Sequence, residues 1–184
     1  LELDTTIVNQ SGQTVLSGSG KVKVLEGRAA QPAAADAERR RVALVTGGGG
    51  GIGRAICQRL ARDDLDVVVA YNGRADRAQA TVAAIEALDG AARAVAIQAD
   101  LATADGAASL AKRATQAFGA LDVLVNNASP AIGAKAFADL GWADIQAHLD
   151  VQVKAAFLLA QAVLPAMAER GHGRIVNITS QVAE

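Results

Sequence analysis

Residues 41–56 read RVALVTGGGGGIGRAI, and how that stretch divides decides the fold. RVALVTG is an apolar run of strand length that passes without a spacer into a run of glycines and then into a helical pattern, GRAICQRLARD. Backbone N–H groups at a helix start carry positive partial charge, and residues without side chains let an anion approach them closely. Strand, glycine loop and helix in that order therefore predict a cradle for a pyrophosphate. The pattern G-x-G-x-x-G is met from Gly48 to Gly53, but five consecutive glycines would meet almost any glycine template. The flanking strand and helix carry the argument.

Downstream the alternation repeats. LDVVVAY reads as a second strand followed by helical ADRAQATVAAIEALDG, and ARAVAIQAD as a third followed by DGAASLAKRATQAFG. LDVLVNNA is the fourth strand, a long helix covers about WADIQAHLDVQVKAAFLLAQAVLPAMAERG, and GRIVNITS is the fifth strand. Short, nearly continuous apolar strands separated by helices predict a parallel sheet covered on both faces. Right-handed crossovers make that a doubly wound, Rossmann-type α/β domain over residues 41–184.

Upstream the pattern differs. Residues 1–24, LELDTTIVNQSGQTVLSGSGKVKV, alternate in the manner of a β-hairpin with NQSGQ as its turn. A lone hairpin is marginal in water, so it is expected to belong to a larger sheet, supplied by the main domain, another chain or further sequence. Residues 25–40, rich in alanine and arginine with one proline, read as a linker behind a truncated second module.

With 51% hydrophobic and 20% charged residues and a net charge of −1, the 184 residues lack the basic stripe that nucleic acid or an anionic membrane would demand. No apolar run approaching the roughly 20 residues of a membrane span is expected. The single cysteine, Cys57, reads as a small buried residue, and its lack of a bridging partner fits a reducing, cytoplasmic compartment. His148 and His172 have no metal-ligand partners at useful spacing, so no metal is expected. Trp142 reads as a packing residue, and Lys154, Arg170 and Arg174 as solvated or helix-end charges.

The spacing Thr46-Gly47-x-x-x-Gly51-Ile52-Gly53, together with LVNNA after the fourth strand and GRIVNITS on the fifth, resembles the short-chain dehydrogenase/reductase family, most closely its β-ketoacyl thioester reductase type. The resemblance covers about residues 41–184. It implies that Thr46, Gly47, Gly51, Ile52 and Gly53 serve the cofactor pyrophosphate. It implies that Asp100 hydrogen-bonds the adenine amino group with Leu101 beside it; an acid capping the next helix is the alternative role for Asp100. Asn127 and Ala128 would lie along the adenosine ribose, and Ser129 stands where the family more often has glycine. An acid at the end of the second strand would favour NAD. Tyr71 and Asn72 occupy that place with Arg74 soon after, so NADP is expected, with NAD as the alternative.

In the family a hydride passes from nicotinamide to a carbonyl carbon while a tyrosine, tuned by a lysine four residues on, transfers the proton. A serine orients the carbonyl oxygen and a helical asparagine holds a relay water. Ser180 matches the serine; Gln152 stands at the asparagine position, one methylene longer, where a polar helix residue of no catalytic role is the other reading. The only tyrosine is Tyr71, so the expectation is a chain that stops inside the active site and is itself inactive. Missing with the Tyr and Lys would be the helix pair used for homo-oligomers. Residues 1–24 also resemble the end of a MaoC-like hot-dog hydratase, which implies a hydratase and reductase fusion acting on acyl thioesters. The competing expectations are a non-catalytic dinucleotide-binding module and a reductase of another carbonyl substrate.

Overall fold

The computed structural model describes residues 2–8, 14–21, 39–130 and 135–179. Strand β3 (Val42–Thr46) is the centre of the main sheet, and all five of its residues are buried. It pairs in parallel with β4 (Asp66–Tyr71) and with β6 (Val123–Asn126), while β5 (Ala94–Gln98) and β7 (Arg174–Asn177) form the edges. The order β5-β4-β3-β6-β7 is the doubly wound arrangement expected from the alternating sequence.

Side chains alternate across a strand, so β3 feeds two cores. Val42 and Leu44 pack with Val68, Leu124, Leu110 and Leu159 under α3 (Ala104–Phe118) and α5 (Ala155–Arg170). Val45 packs with Val67, Val69, Cys57, Val82 and Ile85 under α1 (Gly51–Arg62) and α2 (Ala75–Glu86). Each wholly buried Leu or Val removes enough apolar surface to contribute about 1.5–3 kcal/mol.

Two carboxylates close the amino-terminal edge of the sheet. Asp66 accepts from the Arg93 backbone N–H at 2.8 Å and from the Arg93 guanidinium, whose charge also lies over the Phe118 ring. Asp122 accepts from both terminal nitrogens of Arg39 at 2.8 and 2.6 Å, from the Val42 N–H at 2.8 Å, and lies 3.0 Å from His172 Nε2. Burial alone pushes the Asp122 carboxyl up; the hydrogen bonds from Arg39, Val42 and His172 outweigh it and hold the group below the ordinary carboxylate range. Arg170 is the helix-end charge expected, at the last turn of α5, and it also donates to the Leu121 carbonyl at 2.6 Å beside this cluster.

The long helix departs from a plain reading in three ways. α4 (Trp142–His148) and α5 are joined by a wider, π-helical turn over Leu149–Lys154, which its residue pattern does not announce. Trp142 is 71% exposed rather than packed, because no residue of α4 is buried and contact with the sheet begins only at Ala155. The continuous helix Trp142–Arg170 is also long and apolar enough to pass as a membrane span, against the expectation of no such run. Ala155, Leu159, Val163 and Met167, spaced at about one turn, are buried on the sheet, which gives α5 one face in the core.

Strands β1 (Glu2–Val8) and β2 (Thr14–Lys21) form the expected antiparallel hairpin, with a register shift between Ile7 and Val8. Among the described residues they form a two-stranded sheet of their own.

Candidate functional site

The strand order reverses at β3, where one neighbour's crossover runs over each face, and this leaves a crevice at the carboxyl ends of the strands. A cleft of about 860 Å³ opens there, floored by the glycine loop and walled by the segments after β4, β5 and β6. Its size lies within the range of small-molecule sites.

The loop after β3 is built to bring backbone close to whatever enters. Gly47 turns the chain with φ +66°, a conformation disfavoured for residues with a Cβ, and the Gly50 N–H donates to its carbonyl at 3.0 Å. Gly53 sits so close that an added Cβ would lie 2.2 Å from the Gly47 carbonyl oxygen. Gly51 faces the other way, with nothing within 4 Å of where a Cβ would stand. The first turn of α1 carries neither a side-chain cap nor an acid, so its N–H groups and the positive end of the helix dipole are directed at the cleft. Ile52, Gly47, Gly51 and Gly53 all line it.

Thr46 does not line the cleft. Its hydroxyl is buried beneath the loop, donating to the Val125 carbonyl at 3.3 Å and accepting the N–H groups of Asn127 and Ala128 at 2.9 and 3.0 Å. Asn127 returns the tie through its amide, donating to the carbonyls of Thr46 at 2.9 Å and Gly47 at 3.3 Å. The glycine loop and the LVNNA segment are thus one hydrogen-bonded unit, with Asn127 and Ala128 also on the cleft wall.

Asp100 and Leu101 form the wall beyond β5. The helix-cap reading of Asp100 is corrected: the cap of α3 is Thr103, whose hydroxyl accepts the Gly106 N–H at 3.0 Å. Asp100 instead accepts the Ala102 N–H at 3.0 Å, a tight turn that holds its carboxylate at the cleft rim. Lys154, expected as a solvated charge, braces the same loop by donating to the Ala102 carbonyl at 2.9 Å and pairing with Asp150 at 2.7 Å.

Tyr71 and Arg74 line the end after β4, and so does Arg77. Arg77 is absent from the sequence reading, although its place three residues after Arg74 at a helix start puts both on one face. Arg74 is largely exposed and pairs with Asp76 at 3.4 Å. That hydrogen bond, followed by one from the Arg77 backbone, holds the Asp76 carboxyl below its ordinary range. Cys57 lies behind the glycine loop; burial pushes its thiol up to about 12, which leaves it a packing residue.

Gln152 lies in the widened turn of the long helix, next to Val151 of the cleft wall. Its amide nitrogen donates to the Ser129 hydroxyl at 3.1 Å, and its amide oxygen lies 3.3 Å from His148 Nδ1. Ser129 itself lines the cleft. Ser180 falls outside the described residues.

The family model described as short chain dehydrogenase matches residues 41–184. A 3-oxoacyl-(acyl-carrier-protein) reductase of a Synechocystis species is 40% identical over 140 residues, a match covering 76% of this chain and 56% of that protein. An acetoacetyl-CoA reductase of Allochromatium vinosum is 37% identical over 140 residues, with the same coverage of each. Among solved structures, a short chain dehydrogenase from Burkholderia cenocepacia in complex with NADP is 45% identical, with a TM-score of 0.67 over 76% of this chain and 55% of that one. The chain spans about half the length of the curated relatives it matches, 56% in the case of a Staphylococcus epidermidis reductase.

Proposed function

The chain belongs to the short chain dehydrogenase family, and from that premise we propose that the protein reduces a 3-ketoacyl thioester to the 3-hydroxyacyl thioester, with NADPH as its cofactor. The observation that carries this reading is an uncapped helix start at the cleft, with Gly53 closed against the Gly47 carbonyl so that the loop lies tight on the helix and Gly51 facing open space where a pyrophosphate can approach the backbone N–H groups. NADP in the Burkholderia cenocepacia structure and the ketoacyl substrates in the relatives' names support the finer assignment.

When bound, NADPH supplies the hydride. The protein's share is binding, orientation and the proton. The N–H groups at the start of α1 would take the pyrophosphate charge, with Gly47, Gly51, Ile52 and Gly53 holding the group there. Arg74 and Arg77 place positive charge at the end of β4, where an NAD-selective site would carry an acid. The Asp100 carboxylate would accept from the adenine amino group, with Leu101 beside it, and Asn127 and Ala128 would serve the ribose. Ser180 orients the substrate carbonyl so that charge developing on its oxygen meets a positioned donor. Gln152 takes the relay place on the long helix.

In the same reading the protein works in the cytoplasm as a homo-oligomer. Trp142, Ile145, Leu149, Val153 and Phe157 are exposed at roughly one-turn spacing along the long helix, an apolar stripe suited to a second copy. The separate hairpin of β1 and β2 belongs to a hydratase-like module that shares the 3-hydroxyacyl intermediate.

Titration of the 184-residue chain with NADPH, followed by nucleotide fluorescence, tests the binding step. Saturable binding is expected, with NAD(H) weaker. Reduction of acetoacetyl-CoA by the full-length protein tests the chemistry, and binding without turnover would reduce the protein to a dinucleotide-binding module.

A further inference from the structure

The two residues at which the sequence departs from the pattern of the family it resembles are in contact. Ser129 follows the LVNNA segment where that pattern more often has glycine, Gln152 stands 23 positions on at its asparagine place on the long helix, and the Gln152 amide nitrogen donates to the Ser129 hydroxyl at 3.1 Å. The directions of the bonds are then constrained. With its nitrogen donating, the carboxamide offers its oxygen to His148 Nδ1 at 3.3 Å, so that ring nitrogen is the donor. Ser129 Oγ accepts from Gln152, which leaves its own proton to donate, and Ser129 lines the cleft. A donor-to-acceptor chain therefore runs from His148 through Gln152 to Ser129 and into the cleft, each bond polarising the next.

We propose that Ser129 is the group that presents the relay hydrogen bond to the cleft, and that Gln152 is its positioning residue, held from behind by His148. The inference rests on the reductase reading above. The longer side chain of Gln152 reaches across to Ser129, and the serine hydroxyl returns a polar group to the place that a shorter amide would serve directly. The widened turn from Leu149 to Lys154 supplies the local geometry, since it changes the angular setting of Gln152 relative to α5. Neither substitution is neutral by itself: a glycine at 129 strands the glutamine amide, and an asparagine at 152 falls short of the serine.

The test is a double-substitution cycle in the full-length protein, scored as acetoacetyl-CoA reduction. Ser129→Gly and Gln152→Asn are each expected to lower kcat about three- to tenfold, the loss of one hydrogen bond, with KM for NADPH unchanged. The double variant is expected to lose no more than either single one, because the two losses are one interaction, and to recover to within about threefold of the parent where the shorter amide serves the relay place directly. Ser129→Thr, which keeps the hydroxyl, is expected to retain the parent kcat. Multiplying losses in the double variant, or a Ser129→Gly protein as fast as the parent, would overturn the proposal. A readout without turnover comes from the Gln152 side-chain amide resonances, which should shift on Ser129→Ala; no shift would also overturn it. A parent that binds NADPH but reduces nothing defeats the reductase reading, whereas an active parent with independent losses defeats only the pairing.

Discussion

The two ends of one sheet are built on opposite rules. At the amino-terminal edge, Asp66 and Asp122 are buried and saturated by arginine, histidine and backbone donors. At the carboxyl edge the protein withholds partners: α1 begins on a glycine with no cap and no acid, and Gly51 faces open space. Buried charge without partners is costly, so the first edge is a structural lock. Donors left facing a cleft keep their capacity for a ligand, so the second edge is where binding is expected. One edge should govern stability and the other affinity.

The largest separation of the two should come from Asp122→Ala. It removes the carboxylate on which Arg39 and His172 converge and leaves the Val42 N–H without that acceptor, and loss of one partner of a buried ion pair costs about 3–5 kcal/mol. Chemical denaturation should show that loss, while NADPH affinity measured on the folded fraction stays within about twofold, because the cleft lies at the other end of the strands. A matching fall in affinity would break the division. The same carboxyl predicts an acid limb. Its folded-state value lies below the ordinary carboxylate range, so its contribution is present above the unfolded value, near ~3.9, and fades as pH falls through the lower folded value. Urea midpoints should therefore drop steeply below about pH 4, and that component of the drop should be missing in Asp122→Ala.

At the other edge, Gly53→Val should weaken NADPH binding by more than about 100-fold, since its Cβ would stand 2.2 Å from the Gly47 carbonyl and force the loop off the helix start. The stability cost should be smaller than for Asp122, about 1–3 kcal/mol for overpacking at one loop. Calorimetric titration beside a denaturation curve reads both quantities. Unchanged affinity would remove the glycine loop from the binding site.

The two edges also differ in how far sequence reveals them. The carboxyl edge is local: strand, glycine loop and helix adjoin, and the buried central strands β3 and β4 read as apolar runs. The amino-terminal edge joins Arg39 to Asp122 across 83 positions, and no pattern in either neighbourhood announces that contact. Thr103 rather than Asp100 caps α3 because the chain turns once more before the helix, a difference of backbone path. The widened turn at Gln152 and the exposure of Trp142 depend on where the long helix first meets the sheet. Hydropathy gives that helix the look of a membrane span, and it does not show that Ala155, Leu159, Val163 and Met167 pack on the sheet.

The smallest effect tests the boundary of the cleft. Arg74 shares its charge with Asp76 at 3.4 Å, so part of its field is already engaged within the protein. Arg77 stands on the same wall one turn later. Arg77→Ala should therefore raise the Kd for NADP about three- to tenfold, and Arg74→Ala somewhat less, with NAD binding unaffected by either, as expected for exposed charges in a screened setting. Asp76→Asn should act in the opposite sense and tighten NADP about twofold by releasing Arg74. Both shifts should shrink as salt rises toward 1 M, where the screening length falls to about 3 Å. If removing either arginine weakened NAD as much as NADP, these residues would be supporting the loop rather than reading the extra phosphate, and the preference for NADP would have to arise elsewhere on the wall.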